Sequence, residues 1–336
     1  MEVVKKHDNT RNILLHQCKQ DSYVDYYLRY CHFCGKMLPS KLGRVITVFR
    51  PARFNKPYQY NSHPHLILES LLKNQNRNRL FNTKAAHIDI RNELVVWLEG
   101  LCVKLEFYQK TLQLAVCIMD VVFAKYAVPQ EQIKLTVFMG LVIAAKAEES
   151  PERLPSFQTV RGFFGNEISL EDLIITEQLI FKILNYSLSF TTPFDFMAYF
   201  VYRGVVTSDD FSFELSEKGT EKMLKGLERL LDFFFRASLL SYQVNMFKSV
   251  TVACAVVYCA RKFLGCNTLW NKQLELLTGE MWVTVKDCAI FLERIASEIN
   301  GNLCQKFEIE ESVKSYYQSE VYSRKAREAF GFPLGN

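Results

Sequence analysis

From about residue 65 onward, apolar residues recur three and four positions apart, and the long periodic stretches lack the strict alternation of strands. Such a period lays one apolar stripe along each helix. The first strong stripe is Ile90, Leu94, Val95, Leu98, Leu101, Cys102 and Leu105. A second helix is predicted over 111–126 and a third over 131–149, just beyond Pro129, a residue suited to a helix start. Between 137 and 145 the third is apolar on every side, which puts it at the centre of a bundle. The two prolines of "SPERLP" (150–155) break the pattern, and a short helix over 157–164 and a long one over 169–188 follow. Ser169, with Asp172 three residues on, gives an N-cap signal short of the full capping box.

After "TTP" (191–193) the chain begins again in the same manner. Helices are predicted over 194–201, 222–240, 248–264, 270–277 and 283–299, and the polar stretch 203–221 is expected to be a loop. Five helices, a proline-marked joint and five helices form a repeat, each half centred on its most apolar helix, 137–145 and 250–260. The expected fold is therefore all-α, two tandem five-helix bundles. Its expected divisions are an N-terminal extension (1–64), a first bundle with a lead-in helix (65–189), a second bundle (190–303) and a tail (304–336).

Composition leaves this picture intact, since 49% apolar and 23% charged residues are ordinary for a globular chain of 336. Charge changes it. The formal balance of +5 is concentrated in residues 1–60, where eleven Lys/Arg face four Asp/Glu, whereas the remaining 276 residues carry 30 bases and 32 acids. A near-neutral body gives no support to a broad nucleic-acid-binding face, and the basic extension is expected to be loosely ordered. No catalytic set emerges: the fourteen glycines form no phosphate-binding loop, and all six histidines lie within the first 87 residues. An enzyme is not expected. The opening residues lack a secretory apolar core, no apolar run approaches about 20 residues, and most of the ten cysteines sit singly in apolar helical patterns. A cytosolic or nuclear protein with reduced thiols is expected.

Several short motifs, in order, resemble those of the cyclins. Residues 90–98, "IRNELVVWL", are similar to the first-helix signature of the cyclin box, matching it at Arg91, Leu94, Val95, Trp97 and Leu98. "IMDVVFAKY" (118–126) supplies the second-helix acid, Asp120, and "VIAAKAEE" (142–149) supplies Lys146, Glu148 and Glu149. "TEQLIFKILNYSLSFTTP" (176–193) supplies Glu177, Leu184, Tyr186 and Pro193, and "LWNKQLELLTG" (269–279) is similar to a stretch of C-terminal cyclin folds. The segment 65–91 also looks like the lead-in of the cyclin J branch. The resemblance implies a regulatory subunit that binds and activates a cyclin-dependent protein kinase. Arg91 and Asp120 would be a structural ion pair, and Lys146, Glu177, Glu149 and Tyr186 would meet the kinase. Each has a plainer alternative as a surface charge, a helix-end cation or core packing.

Ile90, Leu94 and Trp97 share one helix face. In cell-cycle cyclins that face docks Arg-x-Leu substrates or inhibitors; here it could equally be core. Val96, Gly100 and Lys134 depart from the acids and Gln usual there, which disfavours an Arg-bearing peptide. Ala147 replaces the usual aromatic beside the Lys.

In the extension, "YCHFCGK" (30–36) has the Cys-x-x-Cys-Gly form of a zinc knuckle, with Cys31 and Cys34 as ligands and His16 and Cys18 able to complete four. Two free thiols are the alternative, and apart from this zinc no cofactor is expected. Arg11 and Leu14 have the spacing of a destruction box, a pattern that also arises by chance. Two further functions stay open: a zinc-ribbon and double-cyclin-fold transcription factor, and a cyclin-fold scaffold without kinase activation.

Overall fold

A computed structural model of the chain describes residues 24–25, 30–31, 48–49, 64–75, 87–164, 168–212 and 217–299. In the N-terminal extension, strand β1 (Val24–Asp25) pairs antiparallel with β2 (Tyr30–Cys31). Among the described residues the body beyond is built of helices, as the apolar period requires. A lead-in helix α1 (Pro64–Asn74) precedes α2 (Arg91–Lys104), α3 (Gln109–Lys125), α4 (Ile133–Glu148), α5 (Phe157–Gly162) and α6 (Leu170–Ile183). The second group is α7 (Pro193–Arg203), α8 (Glu217–Leu240), α9 (Ser249–Leu264), α10 (Lys272–Thr278) and α11 (Trp282–Glu298). The architecture is two tandem five-helix bundles.

The most apolar helix of each half is its axis. α4 packs against α2, α3 and α6, and α9 against α7, α8 and α11. Phe138, Leu141, Ala144 and Ala145 of α4 have no exposed surface, and neither has any residue from Val252 to Val257 of α9. Small residues on these axes let neighbours close in: a Cβ at Gly140 would stand 3.4 Å from Ile118 Cγ2 of α3.

Helix ends depart from the sequence reading in three places. α6 opens with a complete reciprocal capping box: Asp172 N–H donates to Ser169 Oγ (3.1 Å) and Ser169 N–H donates to Asp172 Oδ2 (3.0 Å). Aspartate here serves in place of the longer Glu or Gln. The same helix stops at Ile183 rather than running to 188. Asn185 and Tyr186 both take left-handed backbone angles (φ 52° and 54°), and their N–H groups donate to the carbonyls of Lys182 (3.0 Å) and Phe181 (2.8 Å). This is a Schellman stop with Asn in the position that favours Gly or Asn.

The third departure is the stretch expected to be loop from 203 to 221. α7 still includes Arg203, α8 already starts at Glu217, and a single 3-10 turn covers Ser208–Asp210. The polar composition of 217–221 reflects a solvated first turn, not an absence of helix. Asp210, polar and loop-borne, is buried and clamps Arg261 of α9: Nη2 lies 2.5 Å from Oδ1 and Nη1 2.9 Å from Oδ2. The guanidinium also donates to the carbonyls of Leu269 (3.0 Å), Thr268 (2.5 Å) and Val205.

Between the halves runs a polar seam. Arg91 Nε and Nη2 donate to Asp120 Oδ1 (2.7 Å) and Oδ2 (2.9 Å), so the sequence-derived ion pair is present and bidentate. Arg91 Nη1 reaches across to the carbonyl of Leu239 in α8 (2.8 Å), and Asn245 Nδ2 donates to Asp120 Oδ2 (3.0 Å). His87 approaches Asp120 Oδ1 at 3.3 Å, its ring stacked on Phe123 and set edge-on to Tyr242. Arg236 of α8 pairs with the buried Glu99 of α2 (2.7 Å), and the Phe194 N–H at the start of α7 donates to Gln113 of α3 (3.1 Å). Gln75, just past α1, accepts from the Val250 N–H at the start of α9 (3.3 Å).

Burial opposes the charge on Asp120, yet the Arg91 guanidinium and the His87 ring hold its carboxyl below the ordinary value. A carboxyl lowered in the folded state contributes stability above its unfolded pKa of about 4, and that contribution is lost as pH falls through the lower folded value. Asp120→Asn should cost about 3–5 kcal/mol at neutral pH, because it strands a buried guanidinium. Urea unfolding of the variant should also depend less on pH below about 4 than that of wild type.

Candidate functional site

Lys146 occupies the last turn of α4, where a cation complements the negative end of the helix. Glu177 lies in the middle of α6, which packs beside α4. The fold brings the two side chains together at the surface, with Lys146 Nζ 2.6 Å from Glu177 Oε1. Lys146 keeps half its side chain in solvent, so the pair contributes less than about 1 kcal/mol to folding. Its consequence is positional: two opposite charges are held in one place on an open face.

Part of the same helix face is apolar. Ile174 is one turn before Glu177 on the same helix face, and Leu170, Ile174 and Ile175 are each about half exposed. Tyr186 is 72% exposed. The Schellman turn sets it there, its ring stacked on Phe181 with centroids 6.3 Å apart, the side-chain contact that accompanies such a stop. Core packing is thereby ruled out for Tyr186. Exposed apolar side chains such as Leu170 and Ile174 on the same face as placed charges are characteristic of protein-binding surfaces. Sequence periodicity missed Leu170, Ile174 and Ile175, because a stripe on α6 reads the same whether solvent or a neighbour covers it.

Glu149 does not belong to this face, and its assignment to a partner is corrected. The chain turns inward after α4, and the Glu149 carboxylate is buried at the N-terminus of α3. Oε1 accepts from the Tyr108 N–H (2.6 Å) and from Thr111 Oγ1 (2.5 Å). It thus satisfies amide and hydroxyl donors at a helix start, where negative charge is favoured. Glu148 turns elsewhere, pairing with Lys110 at 2.9 Å. Ala147 is exposed beside Lys146 and adds little contact area.

The Ile90, Leu94, Trp97 stripe is largely sunk. Leu94 is buried, Ile90 and Trp97 are half-buried against the core, and the Trp97 ring lies 6.4 Å from that of Phe138. Lys134 is exposed. Of the proposed zinc ligands, Cys34, His16 and Cys18 lie outside the described residues, as do Arg11 and Leu14, and Cys31 is placed only as backbone in β2. Among the described residues no three metal-binding side chains gather, and no helix is long and apolar enough to cross a membrane.

Residues 64–189 match the family model described as cyclin, N-terminal domain, and residues 191–328 the one described as cyclin, C-terminal domain. The chain is 26% identical over 253 residues to the G2/mitotic-specific cyclin S13-7 of Glycine max, covering 75% of this chain and 86% of that one. It is 28% identical over 202 residues to Cyclin-D of Ostreococcus tauri, covering 58% and 53% of the respective chains. The match to G2/mitotic-specific cyclin S13-6 of Glycine max spans only 49% of that relative. Among solved structures, a viral cyclin from herpesvirus saimiri superposes with a TM-score of 0.55 at 14% identity, over 69% of this chain and 97% of that one.

The two charged residues at the end of α4, Lys146 and Glu149, should behave differently under truncation. Glu149→Ala should lower the unfolding free energy by about 1–3 kcal/mol, because it orphans buried donors. Lys146→Ala should change it by less than about 1 kcal/mol. Chemical denaturation of both variants checks the contrast.

Proposed function

This chain belongs to the cyclin family through both of its bundles, and from that we propose that it is the regulatory subunit of a cyclin-dependent protein kinase, which it binds and activates. The observation that carries the proposal is the Lys146–Glu177 pair, at 2.6 Å on an open face that also carries the half-exposed Leu170 and Ile174 of α6. The family resemblance assigns the same two positions to the kinase's mobile regulatory helix. A charged pair beside exposed apolar side chains offers the kinase helix oriented hydrogen-bonding groups and area to bury. Activation would follow by population shift: the cyclin binds the active placement of that helix more tightly than the inactive one. The cyclin does no chemistry itself, and the complex would work in the nucleus, the cytoplasm or both.

Ala147 supports a second reading. With a methyl group where the family usually has an aromatic, the surface could hold a kinase without fixing its active state, which would make the chain a scaffold. A DNA-facing role draws no support from a body of 30 bases and 32 acids. The half-buried Trp97 stripe and exposed Lys134 make Arg-bearing docking peptides a poor fit, so substrates would be chosen elsewhere.

Lys146→Glu places two like charges together and should weaken kinase association at least about 100-fold. Affinity purification from cells followed by a histone-kinase assay reads both properties. Loss of the kinase with an unchanged melting temperature supports the assignment, and recovery of active kinase at wild-type yield removes it. Kinase recovered by the wild-type chain but inactive selects the scaffold reading.

A further inference from the structure

Well before the first bundle, the N-terminal extension touches the second. Val48 forms an antiparallel bridge with Thr207, and the Phe49 N–H donates to the carbonyl of Val206 at 2.9 Å. Phe49 is 8% exposed and meets the ring of Phe211 edge-on, with centroids 6.4 Å apart. Nothing in the sequence pattern marks these two residues, which lie in a segment whose composition predicts a loose arm.

The receiving edge is specifically shaped. Gly204 ends α7 with φ 109°, an angle that L side chains rarely adopt, and a Cβ there would collide with Val48 Cγ1. The absence of a side chain at 204 opens the place that Val48 fills. The edge is also stiff. Asp210 closes its 3-10 turn by accepting from the Thr207 N–H (2.8 Å) and is itself clamped by Arg261, which also holds the Val205 carbonyl. A braced loop whose Val206 carbonyl takes its hydrogen bond from a strand residue, with a notch at a glycine and an aromatic wall, has the parts of a strand-addition site.

We propose that residues 204–211 form a linear-peptide docking edge on the second bundle, recognising a β-branched residue followed by an aromatic, and that Val48–Phe49 of the chain's own extension occupies it in cis. Backbone pairing supplies the direction of the bound segment, the Gly204 notch selects its first side chain and Phe211 its second. So short a segment binds weakly on its own. Covalent attachment raises its local concentration to roughly the millimolar range, so it holds the edge against free peptides of similar sequence. The contact pins the +7 extension to the body at Val48–Phe49 and leaves the edge open to a better-matched partner strand when the extension is released.

The Phe49–Arg50 bond reports on this directly, because chymotrypsin must take Phe49 into its own pocket. In the full-length protein, cleavage there should be at least about tenfold slower than in a synthetic peptide of residues 44–54, since proteolysis follows the population of the open state. Val48→Asp keeps the cleavage site but sets a charge in the notch, and should restore the peptide's rate without altering the melting temperature of the body. In a second arm, the fluorescently labelled 44–54 peptide should bind the Phe49→Ala full-length protein more tightly than wild type, whose edge is filled. The same peptide carrying Phe49→Ala should bind neither. Equal cleavage in wild type, Val48→Asp and the free peptide would overturn cis occupancy. Equal binding of the labelled peptide to both proteins, or to neither, would overturn the docking edge.

Discussion

A carboxylate with almost no access to water must be compensated from every side, and Asp120 draws that compensation from three separate stretches of chain. His87 comes from the segment before α2, Arg91 from its first turn and Asn245 from the second bundle. Arg91 Nη1 in turn donates to the Leu239 carbonyl of α8, and the guanidinium lies over the Tyr242 ring. The network cannot be completed within either half. A hydrophobic seam would have held the bundles together with some freedom to slide; these directional bonds admit one relative placement. Because α4 and α6 are packed on α3, the placement of the Lys146–Glu177 face relative to the second bundle follows from it.

That face depends on two local devices that have nothing to do with charge recognition. The Schellman stop after Ile183 turns the chain so that Tyr186 covers Phe181 and remains on the surface. The burial of Glu149 against α3 fixes the end of α4 only three residues beyond Lys146. Two ordinary helix-capping solutions therefore set the geometry of a surface whose own ion pair contributes little to stability. A partner meeting this face finds its groups already placed, which lowers the ordering cost of binding.

The helices were legible because apolar period survives in a single sequence, and the Arg91–Asp120 and Lys146–Glu177 pairs because ordered motifs carried the resemblance. Glu149 shows where that legibility ends. Lys-Ala-Glu-Glu reads identically whether its last carboxylate faces solvent or a neighbouring helix, and only the path of the chain after α4 decides. Asp210 and Arg261 are 51 residues apart, with no local signature to join them. The stop at Asn185 was available in principle, since Asn is a favoured left-handed residue, but the apolar residues beyond it continued the helical pattern. Val48 and Phe49 were hidden for the opposite reason: two apolar residues in a basic segment carry no period at all.

The lead-in helix has a consequence for how the molecule is made. α1 contacts α7, and Gln75 caps α9, so the first helix among the described residues finds neighbours in the second bundle. A ribosome adding about 5–20 residues per second needs roughly ten seconds between finishing α1 and finishing α7. Throughout that interval α7 is not there to help cover Ile67, Leu68 and Leu71, which end up against the core. The first bundle can close before the second exists, but α1 must wait. Its half-apolar surface gains from shielding until the second bundle emerges.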